Sequence, residues 1–351
     1  MQAGVQRIIA VVRAVARLVW LAWELSAAAT RTERRALLGL KQSTVPKPSD
    51  ARRSWLHHTA ARVRRVLDIQ PTVTGPIPAR GLLVANHLSY LDIIVLAALT
   101  PCVFVAKSEV KSWPVFGWFA RRGGTIFVNR ASRRDAVRAT EEIRAALRAG
   151  ALVVLFPEGT SSDGAKVLPF KSALLEAAAA ETPNIKLQPA EKHQTPSSNA
   201  APPITVAALH YALNDGDAAR EVCYWGDHTL VPHLLRLVSK RAVRASVAFA
   251  SVTPTGQDRK QLAAQLHAQV SARHEIFCAK AQFQNSAGHL LPTPLRQEGK
   301  IADKTADRKI EPPSCSCPPS SCQNFQVPGS GEPRPRLHLR IPPGPLTIMS
   351  P

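Results

Sequence analysis

Aromatic residues are scarce in this chain, at 5% of 351 residues. That is thin for a protein that stacks nucleic-acid bases. Acidic residues are also few: 25 Asp and Glu stand against 45 Lys and Arg, leaving +20. Such an excess asks for an anionic partner: nucleic acid, an anionic membrane surface or a phosphorylated substrate. No run of 18 uncharged apolar residues occurs, so no typical spanning helix is written here. The six cysteines are scattered and none sits in a paired framework, which makes a reducing cytoplasm the default. Cys315, Cys317 and Cys322 are close together, but C-x-C-x4-C fits no common zinc pattern and no His pair follows. No internal repeat is visible.

What is present can fold. Apolar residues make up 45% and charged residues 20%, which excludes a wholly disordered or collagen-like chain. The length suits one large domain or two ordinary ones. Residues 1–80 hold 14 Lys or Arg and 4 Asp or Glu, so they carry +10, half of the net charge. Within them, residues 5–25 are apolar but interrupted. Arg13, Arg17 and Glu24 share one helical stripe. Ile8, Val11, Val12, Val15, Leu18, Val19 and Leu25 lie opposite, with Trp20 and Trp23 toward one end. That pattern suits a helix in the plane of a membrane interface, or a helix packed on the domain. Residues 31–70 are basic and helix-prone, interrupted by a KQSTVPKPSD stretch.

Short apolar runs then alternate with helical segments. Strands are expected at Gly81–Ala85, Cys102–Ala106, Thr125–Val128 and Ala151–Phe156. Helices are expected at Ile93–Leu99, Ser112–Phe119 and Arg133–Leu147, the last opened by Ser132-Arg133-Arg134-Asp135 and stopped at Gly150. Later strands are expected at Ile204–Leu209, Glu221–Trp225 and Val243–Phe249, and a last helix at Asp258–His274. The alternation predicts an α/β fold with a mostly parallel, buried central sheet flanked by helices. Residues 190–203 read as a polar, Pro-rich surface loop. The 71 residues from 281 onward hold 13 of the 29 prolines and read as a disordered tail. The expected organisation is thus a basic helical membrane-associating segment (1–70), a catalytic domain (71–280) and the tail (281–351).

Three signals stand at strand ends, where open α/β sheets place their sites. The first is Asn86-His87-Leu88-Ser89-Tyr90-Leu91-Asp92. A neutral imidazole accepts a proton near pH 7, and a carboxylate on its far nitrogen fixes the tautomer. Residues five apart in a regular helix diverge, so His87 and Asp92 can meet only if His87 precedes the helix. Ser89 to Asp92 also reads as a capping box, which leaves Asn86 and His87 unexplained. The second is Phe156-Pro157-Glu158-Gly159-Thr160-Ser161-Ser162, where Glu158 could meet a polyol or simply face solvent in a turn. In the third, Arg130 closes Phe127-Val128-Asn129-Arg130 with a planar fork suited to phosphate, or a solvated surface charge.

Together these motifs resemble the glycerolipid and lysophospholipid acyltransferases, which include 1-acylglycerol-3-phosphate acyltransferases. The N-H-x4-D motif is matched by Asn86, His87 and Asp92, F-[IV]-[DN]-R by residues 127–130, and F-P-E-G-T by Phe156 to Thr160. Ala106-Lys107-Ser108-Glu109, with Pro114 and Gly117, resembles the link between the first two motifs. Val206 to Tyr211 loosely matches a fourth, apolar block. The resemblance covers about residues 70–275.

The resemblance implies that His87 is the general base and Asp92 its orienting partner. The acyl acceptor would be held by Asn86, Lys107, Arg130, Glu158, Gly159 and Thr160. It implies an acyl-CoA or acyl carrier protein thioester as donor, a lysophospholipid acceptor, an anionic membrane surface at the cytoplasmic face, and no metal or redox cofactor. No nucleic-acid partner is expected. The favoured acceptor is 1-acyl-glycerol-3-phosphate, with a lyso-ornithine lipid or a purely binding role as alternatives. Two departures bear on this. Ser161 stands where many members carry Arg for the acceptor phosphate, which either shifts that task to Arg130, Lys107 and Lys171 or points to an acceptor without that phosphate. And the proline of the fourth block is either Pro189 or replaced by Thr205.

Overall fold

A computed structural model describes residues 2–37, 48–113, 115–177, 202–255 and 258–288. The expected loop at 190–203 is outside the described residues except for Pro202 and Pro203. Pro114, Pro189 and the three tail cysteines are outside them too.

Two helices open the chain, α1 (Gln2–Leu37) and α2 (Pro48–Val66). Then follow β1 (Ile69–Thr74), β2 (Gly81–Ala85), α3 (Leu91–Leu99) and β3 (Val103–Lys107). A 3-10 turn at Ser108–Ser112 leads to α4 (Phe116–Arg122), β4 (Ile126–Val128), α5 (Arg133–Arg148) and β5 (Leu152–Leu155). The chain closes with β6 (Ile204–Ala212), α6 (Ala218–Glu221), α7 (Leu230–Ser239), β7 (Val243–Val252) and α8 (Arg259–Gly288).

The seven strands form one sheet in the order β1-β7-β6-β2-β5-β3-β4. Every pairing is parallel except β6 with β7. The expectation of a mostly parallel sheet therefore holds. β2 is buried at all five positions because both of its faces are covered. Leu83 and Ala85 join the cluster under α3, with Val95, Leu96 and Tyr211. Leu82 and Val84 face the opposite layer, with Ile143 of α5 and Leu262, Leu266 and Val270 of α8. β2, β3, β4, β5 and β6 all end at the same edge, which brings the three motifs together.

Local signals explain most boundaries. The Ser132 side chain accepts the Asp135 N–H at 3.2 Å and starts α5, and Gly150 follows its end at φ 75°. The expected helix Ser112–Phe119 instead divides in two. Trp113 is extended at ψ 130°, as a residue before proline prefers, and α4 starts three residues later. The expected strand Glu221–Trp225 is not a strand. Asp217 accepts the Ala219 N–H and caps α6, and the buried Val222 and Cys223 then cross the site edge, where Tyr224 N–H meets Leu88 O at 2.8 Å. The last helix extends past His274 and past residue 280 to Gly288, through a stretch without proline. Residues 281–288 of the expected tail belong to that helix, and the residues from 289 are outside those described.

The first 70 residues are not a separate layer: α1 and α2 belong with the sheet in one unit. Trp55 of α2 stacks on Phe119 of α4 at 5.5 Å, and His57 Nδ1 meets Ala97 O of α3 at 2.7 Å. On α1 the stripe is turned inward. Arg13 donates to Ser239 O at 2.8 Å, and Arg17 donates to the carbonyls of Val238, Lys240 and Arg241. Val238 and Ser239 close α7 and Lys240 and Arg241 follow it, so these carbonyls crowd the helix C-terminus, which a cation satisfies well. Val5, Ile8, Ile9, Val12, Val19 and Trp23 are left on the exposed face. No helix among the described residues is long and apolar enough to cross a membrane.

Candidate active site

β2 ends at Ala85, and four residues without regular structure precede Tyr90 and α3. His87 is therefore outside the helix, which frees it to turn back onto Asp92. Its Nδ1 is 2.7 Å from Asp92 Oδ2. The same oxygen accepts the N–H groups of Leu88 at 2.7 Å and Ser89 at 3.0 Å. The other oxygen, Oδ1, accepts the Tyr211 hydroxyl at 2.7 Å. Asp92 is 0% exposed, and four donors surround its carboxylate. Such a group only accepts, so His87 Nδ1 carries the proton and Nε2 holds the lone pair. The His87 side chain keeps 22% of its surface open, and Nε2 has no protein partner among the described residues.

The capping-box reading is half right. Asp92 does take the Ser89 N–H, but the Ser89 hydroxyl caps nothing and is buried without a partner. The carboxylate serves the helix start and the histidine at once.

Asn86 is bonded to backbone. Its amide nitrogen donates to Leu209 O at 3.0 Å, and its amide oxygen accepts Leu209 N–H at 2.7 Å. The side chain extends the β2–β6 ladder by one residue. It is buried, and its two bonds to Leu209 fix the backbone that leads into His87.

Glu158 is likewise bonded to backbone. Oε1 accepts the His87 N–H at 2.8 Å and Oε2 the Leu168 N–H at 3.2 Å. Both oxygens are taken by backbone, and the side chain is buried. Burial pushes its carboxyl up to about 7, against the pull of those two N–H donors, and the Asp92 charge adds to the rise. Glu158 holds the His87 loop.

The remaining motif residues line the edge. Arg130 donates from Nη1 to Gly159 O at 3.0 Å, and burial lowers its pKa. Gly159 has φ 78°, and a Cβ there would strike the Arg130 guanidinium and come within 3.0 Å of Lys171 Nζ. Two cations thus converge beside one glycine that must stay bare. A cavity of about 300 Å³ opens beside them, lined by Val105, Val128, Leu155 and Leu174. Lys107 and Thr160 are exposed at the ends of β3 and β5, outside this hydrogen-bond network. Ser161, in the place of the family Arg, donates to Tyr224 O, and Ser162 N–H meets His87 O at 3.0 Å. β6 begins Ile204-Thr205-Val206-Ala207, with Thr205 opposite Leu83 of β2.

Three contributors were not singled out from sequence. Tyr211 supplies the fourth donor to Asp92. Its signal was a tyrosine in a buried strand, which needs a hydroxyl partner. Phe156 lies flat on the His87 ring, with centroids 4.3 Å apart. Tyr90 is braced by His233, with Tyr90 OH 3.0 Å from Nδ1 and Nε2 3.1 Å from Cys223 O.

Comparison with known proteins gives the family. The pattern of the family described as Acyltransferase matches residues 70–190. A lyso-ornithine lipid O-acyltransferase of Brucella abortus is 42% identical over 195 residues, covering 54% of this chain and 70% of that protein. The lyso-ornithine lipid O-acyltransferase of Pseudomonas aeruginosa is 33% identical, covering 66% of this chain and 80% of that protein. A 1-acyl-sn-glycerol-3-phosphate acyltransferase of Neisseria gonorrhoeae is 34% identical, covering 56% and 71%. The crystal structure of the 1-acyl-sn-glycerophosphate acyltransferase PlsC of Thermotoga maritima shares the fold, with TM-score 0.50 and 20% identity over 76% of this chain and 98% of that one. The chain belongs to the acyltransferase family that includes these lyso-ornithine lipid and 1-acyl-sn-glycerol-3-phosphate acyltransferases.

Proposed function

We propose that this enzyme moves a fatty acyl group from acyl-CoA or acyl carrier protein to the free hydroxyl of a lysolipid at an anionic membrane surface. The His87–Asp92 pair carries the reading. His87 Nε2 takes the acceptor proton as the hydroxyl oxygen attacks the thioester carbonyl. Asp92 stabilises the imidazolium that forms. Collapse of the tetrahedral intermediate expels the thiolate, and the proton on His87 passes to it. No acyl-enzyme is needed.

The acceptor that fits best is a lyso-ornithine lipid. Ser161 gives its hydroxyl to Tyr224 O and offers no cation where a phosphate-binding Arg would stand. Similarity to two lyso-ornithine lipid O-acyltransferases supports the same choice. An ornithine headgroup has no phosphate, only a carboxylate as its anionic group. 1-Acyl-glycerol-3-phosphate is the second reading, favoured by the paired cations Arg130 and Lys171 beside Gly159. The outward apolar face of α1 supports attachment to the cytoplasmic leaflet, with Trp20 and Trp23 at the headgroup level.

The experiment is acyl transfer by purified protein to both lysolipids, with His87→Ala as control. Transfer to either acceptor that disappears in the variant supports the mechanism, and the preferred acceptor decides between the readings. Undiminished turnover by His87→Ala refutes it.

A further inference from the structure

The face of β6 opposite Tyr211 carries chemistry that acyl transfer does not use. Side chains alternate along a strand, so Leu209 and Tyr211 face the active-site layer while Ala208 and His210 face α8. α8 presents Leu262, Leu266 and Val270 to the sheet at intervals of four. The next two positions of that stripe are His274 and Cys278. An apolar seam therefore ends in two metal-ligand side chains, with a third, His210, on the strand it covers.

His274 is poorly served by the protein. It is 2% exposed. Its Nε2 is buried without a partner. Its Nδ1 faces the Cys278 sulfur at 3.6 Å, a weak hydrogen-bond partner. An imidazole buried with one nitrogen orphaned costs stability unless something fills the gap. The ligand atoms of His210, His274 and Cys278 all lie within 4.8 Å of one another. Tetrahedral coordination by nitrogen and sulfur sets such atoms about 3.3–3.8 Å apart, given Zn–N and Zn–S bond lengths. His274 Nδ1 lies 3.6 Å from the Cys278 sulfur, which meets that spacing without a move of the backbone, while Nε2 is the nitrogen left without a protein partner.

We propose that His210, His274 and Cys278 form a binding site for a borderline-soft divalent transition metal, Zn2+ in class, that ties α8 to β6. Two imidazoles and a thiol exclude hard oxygen-seeking cations such as Mg2+ and Ca2+. The i, i+4 spacing puts His274 and Cys278 on one face of α8. A neutral imidazole offers a lone pair to a metal, and metal binding displaces the Cys278 thiol proton to solvent and leaves a metal–thiolate bond. Three protein ligands leave a fourth position for water.

The test uses the full chain without an affinity tag, stripped with chelator and titrated with Co2+. Binding at one equivalent should raise a thiolate-to-cobalt charge-transfer band, which Zn2+ then removes. Cys278→Ser should abolish the band, and His210→Ala should weaken binding at least about tenfold, since each ligand contributes strongly to affinity. A variant with Cys315, Cys317 and Cys322 changed to Ser should keep the band. Zn2+ should raise Tm by several degrees in the parent and not in Cys278→Ser. His274→Gln, checked for its fold by circular dichroism, serves where His274→Ala does not fold. Persistence of the band in Cys278→Ser, its loss with the tail cysteines, or no saturable Co2+ binding at micromolar metal overturns the proposal.

Discussion

The Tyr211 hydroxyl donates to Asp92 Oδ1 at 2.7 Å, from β6, the strand next to β2, whose end leads into His87. It leaves Asp92 Oδ2 to the histidine and two backbone N–H groups. Tyr211→Phe removes that one donor and keeps the ring packing. Acyl transfer should fall about tenfold in kcat with KM little changed, because the substrate does not touch Tyr211. Stability should drop by about 1–2 kcal/mol, the cost of a buried acceptor losing a partner. Asp92→Asn should be much worse, about a thousandfold or more, since an amide can hold His87 in the wrong tautomer. Steady-state kinetics and urea unfolding on both variants test this. Equal losses in the two would show that Tyr211 does more than support the carboxylate.

Glu158 makes stability depend on pH in an unusual direction. Its carboxyl rises from an ordinary 4.5 to about 7 in the fold. The native state then binds the proton more tightly than the unfolded chain. The resulting stability is present below about 4.5 and is lost as pH rises through 7, by up to about 3 kcal/mol for a shift of this size. Glu158→Gln cannot titrate, so it should lack this component. The stability difference between parent and variant, from urea unfolding at pH 5 and pH 8, should move against the parent as pH rises. A difference independent of pH would mean that Glu158 is ionised throughout.

The sheet was legible because its central strands are continuous apolar runs bounded by turn residues. Gly81–Ala85 was placed without error for that reason. β1 was not legible: its pattern alternates buried with partly exposed positions, and Pro71 lies in it, as only an edge strand allows. Val222 and Cys223 look like a strand because they are apolar and buried, yet burial there comes from crossing the site edge. His87 and Asp92 were readable as a pair because their spacing demanded a turn. Asn86 and Glu158 were read as substrate ligands because sequence shows their chemistry but not which backbone groups consume it. The same limit applied to α1. Its stripe of Arg13, Arg17 and Glu24 was plain, but whether the stripe faced lipid or protein depended on the carbonyls of α7, 220 residues away.

The inverted stripe makes a prediction about attachment. The exposed apolar side chains of α1 should enter the membrane interface while Arg13 and Arg17 stay on α7. Val12→Asp with Val19→Asp should cut binding to anionic vesicles at least tenfold, since each aspartate removes apolar burial and adds charge repulsion. Soluble-substrate hydrolysis of the acyl thioester, if present, should be unchanged. Arg17→Ala should behave differently. It should lower Tm by a few degrees through the uncapped α7 carbonyls and leave vesicle binding nearly intact. Co-sedimentation and thermal unfolding separate the two. Stronger loss of vesicle binding in Arg17→Ala than in the aspartate pair would mean that the basic stripe, not the apolar face, meets the lipid.

Ser161 is the place to test acceptor choice. In the protein its hydroxyl is committed to Tyr224 O, beside the backbone that carries His87 and near the pair Arg130 and Lys171. Ser161→Arg adds a fork-shaped cation at that edge without touching the His87–Asp92 contact. A phosphate carries more charge than a carboxylate and accepts a bidentate Arg, so it gains more from the change. The ratio of kcat/KM for 1-acyl-glycerol-3-phosphate over a lyso-ornithine lipid should rise about tenfold, roughly 1.4 kcal/mol of differential binding. Arg130→Ala should act on the other side, raising KM for both acceptors because each offers an anion. A ratio unmoved by Ser161→Arg, in a variant that folds and turns over, would place acceptor recognition away from the F-P-E-G-T edge.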